Sequence, residues 1–202
     1  DVGVNQGIYS RYLAKFSRHV YGFECNENLL PDIREIQPSN MTLLPFALSH
    51  EASSAVLRFQ NLNTGIGTIE PANFLSNFES ANIQKMLVNT QTLDSFNISD
   101  VSFIKIDVEG HELSVLQGAS DTLRRYTPAL LVEIEERHSK GSTLSVPSFL
   151  NSLGYKMYQH NYQNSQLGLI ELSTINPDTS VNNFWFIHDK NIAKYRTLRL
   201  LH

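Results

Sequence analysis

Hydrophobic and polar positions follow two different periods along this chain, and the two periods predict helices and strands in turn. Apolar residues recur at helical spacing in residues 8–16, 28–36, 112–123 and 146–153. Short segments rich in β-branched, aromatic and other apolar residues predict strands between these helices. The predicted strands are residues 20–24, 43–48, 55–59, 88–93, 101–107, 129–134, 155–159, 167–172 and 184–188.

This alternation predicts a Rossmann-like α/β fold, in which helices cover both faces of a mainly parallel sheet. Residues 101–107 and 129–134 are largely apolar, as expected for central strands, whereas the last three predicted strands are expected to be partly antiparallel. The chain opens on Asp1-Val2-Gly3 as if at the end of a strand, so we expect the first strand to be truncated here. A ligand is expected at the carboxyl ends of the parallel strands.

Composition favours one domain across all 202 residues, because a hydrophobic content of 41% suits a single core of this size. Residues 60–82 interrupt the alternation with asparagine, glycine, serine and proline. This stretch is longer than most connections in a compact domain, and it is expected to form an irregular lid or substrate loop.

Charge and cysteine content narrow the expected partners and setting. The 16 basic and 20 acidic residues give a net charge of −4, which disfavours a nucleic acid partner. No apolar stretch approaches the roughly 18 residues that cross a bilayer, so no membrane partner is expected. Cys25 is the only cysteine, which favours a reducing, cytoplasmic setting.

Residues 1–7, with the sequence DVGVNQG, predict a tight turn between a strand and a helix. Gly3 and Gly7 allow the backbone to approach a ligand at the helix N-terminus. Glu24 ends the next strand, about 20 residues further on, where an acid can accept hydrogen bonds from ribose hydroxyls. The alternative is that no ligand binds here, so that residues 1–7 form an ordinary turn between a strand and a helix and Glu24 is a solvated acid at a strand end. A nicotinamide cofactor also stays open, although Asn5 stands where the dinucleotide fingerprint has its middle glycine.

Ionisable side chains gather where two central strands are predicted to end. Asp107 follows one strand, Glu133 lies near the end of the next, and His138 lies in the loop beyond. Such groups can orient a substrate hydroxyl, accept its proton or bind a divalent ion. The alternatives are helix capping for Asp107 and solvent exposure for His138. Asp107 and Glu133 do not form a ligand cluster specific enough to predict a metal site.

Six short segments, in order along most of the chain, together form a family pattern. They are DVGVNQG (1–7), FE (23–24), TLD (92–94), FIKIDVEG (103–110), LQGA (116–119) and PALLVE (128–133). The IDVEG segment with LQGA after it is the distinctive part. On these residues the chain resembles the FkbM family of S-adenosylmethionine-dependent methyltransferases. Cys25 departs from the family, which often has proline at this position.

The resemblance implies a class I methyltransferase fold with a seven-stranded sheet, and S-adenosylmethionine as the cofactor. The glycine loop is expected beside the methionine part of the cofactor, Glu24 at the ribose, and Phe46 and Ala47 near the adenine. The full set of expected cofactor-binding residues is Asp1, Gly3, Asn5, Gly7, Glu24, Phe46, Ala47 and Asp107.

The resemblance also implies methyl transfer to an oxygen, often a hydroxyl of a sugar, polyketide or other secondary metabolite. A small-molecule or glycan acceptor is therefore the expected partner. Asp107 is expected to orient the acceptor hydroxyl or accept its proton, with Glu133 and His138 as alternative catalytic residues. Two other functions stay open: a non-catalytic Rossmann-like binding module and an NAD-dependent oxidoreductase.

Overall fold

Helices and strands alternate along the computed structural model, which describes residues 1–60, 67–71, 73, 82–161, 166–170 and 182–195. The helices are α1 (Ile8–Ala14), α2 (Leu30–Ile36), α3 (Glu112–Gln117), α4 (Ser120–Tyr126), α5 (Ser142–Ser152) and α6 (Ile192–Tyr195). The strands are β1 (Val20–Phe23), β2 (Met41–Leu44), β3 (Ala47–Leu48), β4 (Ser53–Gln60), β5 (Gly67–Thr68), β6 (Ile83–Gln91), β7 (Phe103–Ile106), β8 (Ala129–Glu133), β9 (Tyr155–Asn161), β10 (Gln166–Ile170) and β11 (Asn183–His188).

The larger group of strands is parallel in one half and antiparallel in the other. Strand β1 pairs with β2, and β7 pairs with β8, both in parallel. Val2 makes parallel bridges to Phe23 of β1 and Ile106 of β7, so this residue joins the two pairs. Strand β11 runs antiparallel between β8 and β9, and β9 pairs antiparallel with β10. The expected α/β class is confirmed, but the mainly parallel sheet is found only as far as β8.

A smaller sheet contains β3, β6, β4 and β5 in that order. Strand β6 lies between β3 and β4, so the strand predicted at residues 88–93 is found, in part, as an interior strand of this sheet. The prediction of a single strand at residues 43–48 is wrong, because β2 ends at Leu44 and β3 begins at Ala47. Pro45 lies between them, and a proline has no N–H to continue a ladder of hydrogen bonds.

The helix predicted at residues 112–123 is two helices, α3 and α4, which meet at Gly118. A Cβ atom at Gly118 would lie 2.0 Å from the carbonyl oxygen of Ser49, so only glycine allows this approach of the two segments. The second helix begins where the Asp94 carboxylate accepts hydrogen bonds from the backbone N–H groups of Asp121 and Thr122, both at 2.9 Å. The apolar period continues across the break, which is why the sequence pattern did not reveal it.

The largest hydrophobic cluster joins the larger sheet to helices α3, α4 and α5. Val115, Leu123, Leu130, Leu150 and Phe186 are almost completely buried in it. Burial of one such side chain contributes roughly 1.5–3 kcal/mol to stability. These contacts hold the carboxyl ends of β7 and β8 side by side, and Val2 brings the end of β1 to the same edge.

Helix α1 has the predicted position, and its Leu13 packs against buried residues, but much of the predicted apolar face is exposed. Ile8, Tyr12 and the following Phe16 are 69%, 58% and 75% exposed. Ser10 is the buried residue of this helix, and it lies over Gly22 of β1. Small residues at this contact let the helix approach the strand closely. Within the described ranges, no helix is long and apolar enough to cross a membrane.

Candidate functional site

A cleft with about 700 Å³ of open space lies at the carboxyl ends of β1 and β7. Its walls come from the loop before α1, the ends of β1 and β7, and part of the smaller sheet. The cleft therefore has the position expected for a ligand site in an α/β fold.

The turn at Gly3 forms the floor of this cleft. Its φ angle is +80°, and a Cβ atom there would lie 1.9 Å from the carbonyl oxygen of Asp107. Asn5 also has a left-handed backbone, with φ at 50°, and Gly7 has φ at 78° where it caps α1. The bare backbone at Gly3 thus brings the first loop into contact with the end of β7, as only glycine permits.

Glu24 follows β1 and is 8% exposed. One of its carboxylate oxygens accepts a hydrogen bond from the Asn5 backbone N–H at 2.8 Å, and the other accepts one from the Asn26 N–H at 2.8 Å. Burial raises the pKa of Glu24, while these two backbone donors oppose the rise. The carboxylate is therefore held in one orientation at the wall of the cleft, with acceptor lone pairs left over.

Aromatic and apolar residues form the wall beyond Glu24. Phe46 and Ala47 line the cleft, and the Phe46 ring lies 5.7 Å from the ring of Phe96. Leu57 of β4 and Ile69 beyond β5 continue this wall from the smaller sheet. An apolar surface next to a fixed carboxylate suits a flat, weakly polar ring attached to a sugar.

Asp107 lines the cleft at the end of β7, beside a buried lysine. Lys105 has a side chain that is 4% exposed, and its Nζ lies 3.1 Å from Asp107 Oδ2 and 3.8 Å from Asp1 Oδ1. The same ammonium group lies 4.6 Å from the centre of the Tyr9 ring. A charge this deeply buried needs such partners, and in return it neutralises the carboxylates around it.

Carboxyl groups from β8 and from the turn after β7 crowd around Asp107. Burial, followed by a side-chain hydrogen bond with Asp107, raises the pKa of Glu133. Burial and the nearby Asp107 raise the pKa of Glu109 to about 7. Asn182 also donates hydrogen bonds to Glu133 and Glu135. Glu133 and Glu109 therefore hold their protons to higher pH than isolated carboxyl groups do.

His138 packs behind the cluster and is 7% exposed. Its Nε2 lies 3.0 Å from Glu109 Oε2 and 3.6 Å from Glu135 Oε2. Burial lowers the pKa of His138, although Glu135 opposes that change. The backbone of His138 also closes over Gly110, since a Cβ at Gly110 would lie 2.8 Å from the His138 carbonyl oxygen.

His111 lines the cleft just after β7, where it connects three segments of the chain. Its Nδ1 is 3.2 Å from Glu70 Oε2, and its Nε2 is 2.9 Å from Ser49 Oγ. Burial lowers the pKa of His111, and the hydrogen bond with Glu70 works against this. Both ring nitrogens therefore have partners.

A metal-binding group of three or more histidine, cysteine or acidic side chains is absent from the part of the chain that the structure describes. The carboxylates of the cleft instead pair with Lys105, with backbone amides and with one another.

Comparison with known families decides what kind of domain holds this cleft. The sequence model of a family described as the methyltransferase FkbM domain matches residues 1–157. The chain belongs to the FkbM methyltransferase family. The resemblance seen in the sequence is thereby confirmed over most of its length.

One solved structure shares the overall fold of this FkbM domain. It is the crystal structure of methyltransferase FkbM from Methylobacillus flagellatus KT, with a TM-score of 0.61 and 16% sequence identity. The match covers 93% of this chain and 42% of that chain, so the chain spans less than half the length of the solved protein. At this identity the likeness shows the fold alone. A search among curated proteins gave no match.

Most of the predicted cofactor-binding residues of the FkbM domain meet in one cleft. Those that line it are Gly3, Asn5, Glu24, Phe46, Ala47 and Asp107. Asp1 instead accepts a hydrogen bond from Ser10 Oγ at 2.6 Å and lies near Lys105. Gly7 caps α1 and faces Ile36. The roles predicted for Asp1 and Gly7 at a cofactor stay predictions.

Glu133 and His138 lie directly behind the lining of the cleft, against Asp107 and Glu109 respectively. Two lining residues, Glu109 and His111, carried no predicted site role, and neither did the buried Lys105. The signal for Lys105 was present in the sequence as a single charge within an otherwise apolar strand. His111 had no such signal, because its partners lie far away along the chain.

Proposed function

We propose that this FkbM domain binds S-adenosylmethionine in the cleft and catalyses transfer of the cofactor's methyl group to a hydroxyl oxygen of an acceptor. The observation that carries the proposal is Glu24, a buried carboxylate fixed by two backbone amides across from the Gly3 turn. A carboxylate in this position is suited to the two hydroxyls of a ribose. Membership of a methyltransferase family supports the sulfur nucleoside rather than a nicotinamide cofactor.

The residues present fit such a cofactor. Asn5 Oδ1 is buried and has no hydrogen-bond partner within the described ranges, so an acceptor is available for the ammonium group of the methionine part. A side chain at Gly3 would fill the floor of the cleft, where the backbone must stay bare. Phe46 and Ala47 offer an apolar surface to the adenine.

The strand arrangement is also consistent with the class I methyltransferase sheet, which we propose as the architecture. The Val2 segment, β1, β2, β7, β8, β9 and β11 would supply its seven strands, with β11 antiparallel. In this arrangement the cleft lies where the strand order reverses on either side of Val2, which is the usual ligand position in open α/β sheets.

Asp107 is the residue best suited to the acceptor hydroxyl. The bound cofactor supplies an electrophilic methyl group. The Asp107 carboxylate lines the cleft and is 33% exposed, so it can orient an acceptor hydroxyl and receive its proton. Lys105 holds the carboxylate in place from behind, at 3.1 Å.

Glu133 and His138 are less suited to be the base. The raised pKa of Glu133 keeps its proton at neutral pH, and the hydrogen bond with Asp107 makes it a partner that orients Asp107. His138 lies against Glu109 and Glu135, behind the lining of the cleft. We propose that both residues act through the residues they contact. The acceptor class proposed from the family is a sugar, polyketide or other secondary metabolite.

Calorimetric titration with S-adenosylmethionine, S-adenosylhomocysteine and NAD tests the cofactor. We expect both sulfur nucleosides to bind and NAD not to bind. Glu24→Gln keeps one acceptor oxygen but removes the charge, so it should weaken nucleoside binding about tenfold or more. Glu27→Gln removes an exposed carboxylate three positions further on and should leave binding unchanged.

Transfer of labelled methyl groups tests the reaction. Labelled S-adenosylmethionine and an extract of the source organism should yield a labelled product, and Asp107→Asn should abolish it even at a nucleoside concentration that saturates the variant. Product formation should also survive chelation and dialysis. Absence of nucleoside binding would refute the cofactor assignment, whereas undiminished turnover by Asp107→Asn would refute only the assignment of the base.

A further inference from the structure

The segment Gly67–Pro71, together with Asn73, is attached to the turn that follows β7. Thr68 Oγ1 donates a hydrogen bond to the carbonyl oxygen of Glu109 at 2.8 Å. Asn73 Nδ2 donates to the same oxygen, also at 2.8 Å. These two bonds join residues that lie 41 and 36 positions apart along the chain.

Thr68 is the centre of this attachment. Besides its bond to Glu109, its hydroxyl oxygen accepts a hydrogen bond from the Glu70 backbone N–H at 3.0 Å. Glu70 in turn lies 3.2 Å from His111 Nδ1. Thr68 is 1% exposed and Asn73 is 3% exposed, so water does not compete for these bonds.

The turn that receives these bonds has an unfavourable backbone. Glu109 has φ at 54° and Gly110 has φ at 106°. A non-glycine residue in the left-handed region costs free energy, which the surrounding contacts must offset. The two side-chain donors on the Glu109 carbonyl oxygen stabilise this conformation.

The attached segments form two different walls of the cleft. Gly67 and Ile69 line it from the smaller sheet, while Asp107, Glu109 and His111 line it from the end of β7. The hydrogen bond from Thr68 to Glu109 therefore connects two walls of the cleft. Movement of one wall would disturb the other.

We propose that Thr68 is a positioning residue whose hydroxyl ties the wall at Gly67–Pro71 to the turn at Glu109, so that both walls together retain a bound sulfur nucleoside. The inference rests on the proposed cofactor. Asn73 and Glu70 reinforce the same attachment, because Asn73 also donates to the Glu109 carbonyl oxygen and Glu70 contacts the ring of His111.

Displacement of radiolabelled S-adenosylhomocysteine by excess unlabelled compound measures the dissociation rate. Thr68→Val keeps the shape of the side chain but removes the hydroxyl and its two hydrogen bonds. Dissociation of the nucleoside should then be about tenfold faster, with an unchanged association rate. Thr68→Ser keeps the hydroxyl and should restore the wild-type rate. Thr90→Val is the matched control, because Thr90 is 4% exposed and its hydroxyl donates to the Glu51 carbonyl oxygen at 3.0 Å outside the cleft lining.

The inference is overturned if Thr68→Val releases the nucleoside at the wild-type rate, or if Thr90→Val accelerates release equally. Should Thr68→Val not fold, hydrogen exchange of the wild-type protein decides. Saturating S-adenosylhomocysteine should slow amide exchange in residues 67–70 and 109–112 together, and protection of only one of these segments contradicts the coupling. A wild-type protein that binds no sulfur nucleoside would overturn the proposed function and this inference with it.

Discussion

Two glycines with similar backbone angles differ sharply in what surrounds them. Gly3 has φ at +80°, and a Cβ would lie 1.9 Å from the Asp107 carbonyl oxygen, whereas Gly141 has φ at +85° and nothing within 4 Å. The first position therefore needs glycine for both its conformation and its contact. The second needs it for conformation alone.

Substitution of each glycine by alanine separates these two costs. Gly141→Ala should lower the free energy of unfolding by about 1–2 kcal/mol, the cost of a left-handed alanine. Gly3→Ala should lower it by about 3 kcal/mol or more, because the loop must also move away from Asp107. Urea unfolding followed by circular dichroism measures both. Equal losses would mean that the contact between the loop and β7 contributes nothing.

Glu112 is a buried carboxyl group next to the cleft. It is 2% exposed, and its Oε1 accepts a hydrogen bond from the Gly110 backbone N–H at 2.8 Å. Burial raises its pKa from 4.5 to about 7, although the backbone donors oppose the rise. The folded protein therefore holds a proton on Glu112 at pH values where the unfolded chain has released it.

Stability should reflect this proton. Between pH 4.5 and about pH 7 the folded state binds more protons at Glu112 than the unfolded state, so its contribution to stability falls as pH rises and is lost above that range. Glu112→Gln cannot ionise but keeps the acceptor oxygen. Relative to wild type, its free energy of unfolding should increase on the order of 2 kcal/mol from pH 5 to pH 8 in urea titrations. Titrating groups that do not interact with Glu112 cancel in this difference, and a difference independent of pH would contradict the raised pKa.

At the scale of elements, Asp94 joins a short 3-10 helix to helix α4. The 3-10 helix spans Asp94–Phe96. The Asp94 carboxylate accepts hydrogen bonds from the backbone N–H groups of Asp121 and Thr122, both at 2.9 Å, and from Thr122 Oγ1 at 2.6 Å. Helix N-termini leave backbone N–H groups without partners inside the helix, and a carboxylate satisfies them. Asp94 thus determines where α4 starts after the break at Gly118.

Removal of this cap should destabilise the protein measurably. Asp94→Ala should lower the free energy of unfolding by about 1–2 kcal/mol, as for other lost helix caps. Asp94→Asn keeps one acceptor oxygen and should cost less. Asp32→Ala is a suitable control, since Asp32 lies exposed in the first turn of α2. The role of the cap is refuted if the urea midpoints of Asp94→Ala and Asp32→Ala agree.

The sequence predicted most elements of this fold well where a local signal exists. Strand β1 and helix α2 begin and end within two residues of their predicted limits. The errors occur where a distant contact overrides the local pattern. Gly118 breaks a continuous apolar period because Ser49 lies against it, and Ile8 and Tyr12 of α1 are exposed because the helix packs on Gly22 through Ser10.

At the scale of the whole molecule, the larger sheet brings chemistry from separate motifs to one edge. Glu24 and Asp107 follow strands that run in the same direction on either side of Val2, so both side chains reach the same cleft. That geometry could be predicted, because parallel strands have their carboxyl ends on the same side. The smaller sheet, which supplies the opposite wall, was not predicted as a separate layer.

What the sequence determined by itself was local: the glycine turn at residues 1–7, the acid after β1, and the charged motif after β7. Each depends on the backbone preferences and polarity of a few neighbouring residues, which are written directly in the chain. Only the tertiary structure decided which strands pair antiparallel, and that Thr68 reaches Glu109 across 41 positions. Such contacts depend on loop closure and on burial shared by the whole domain, and no local pattern encodes them.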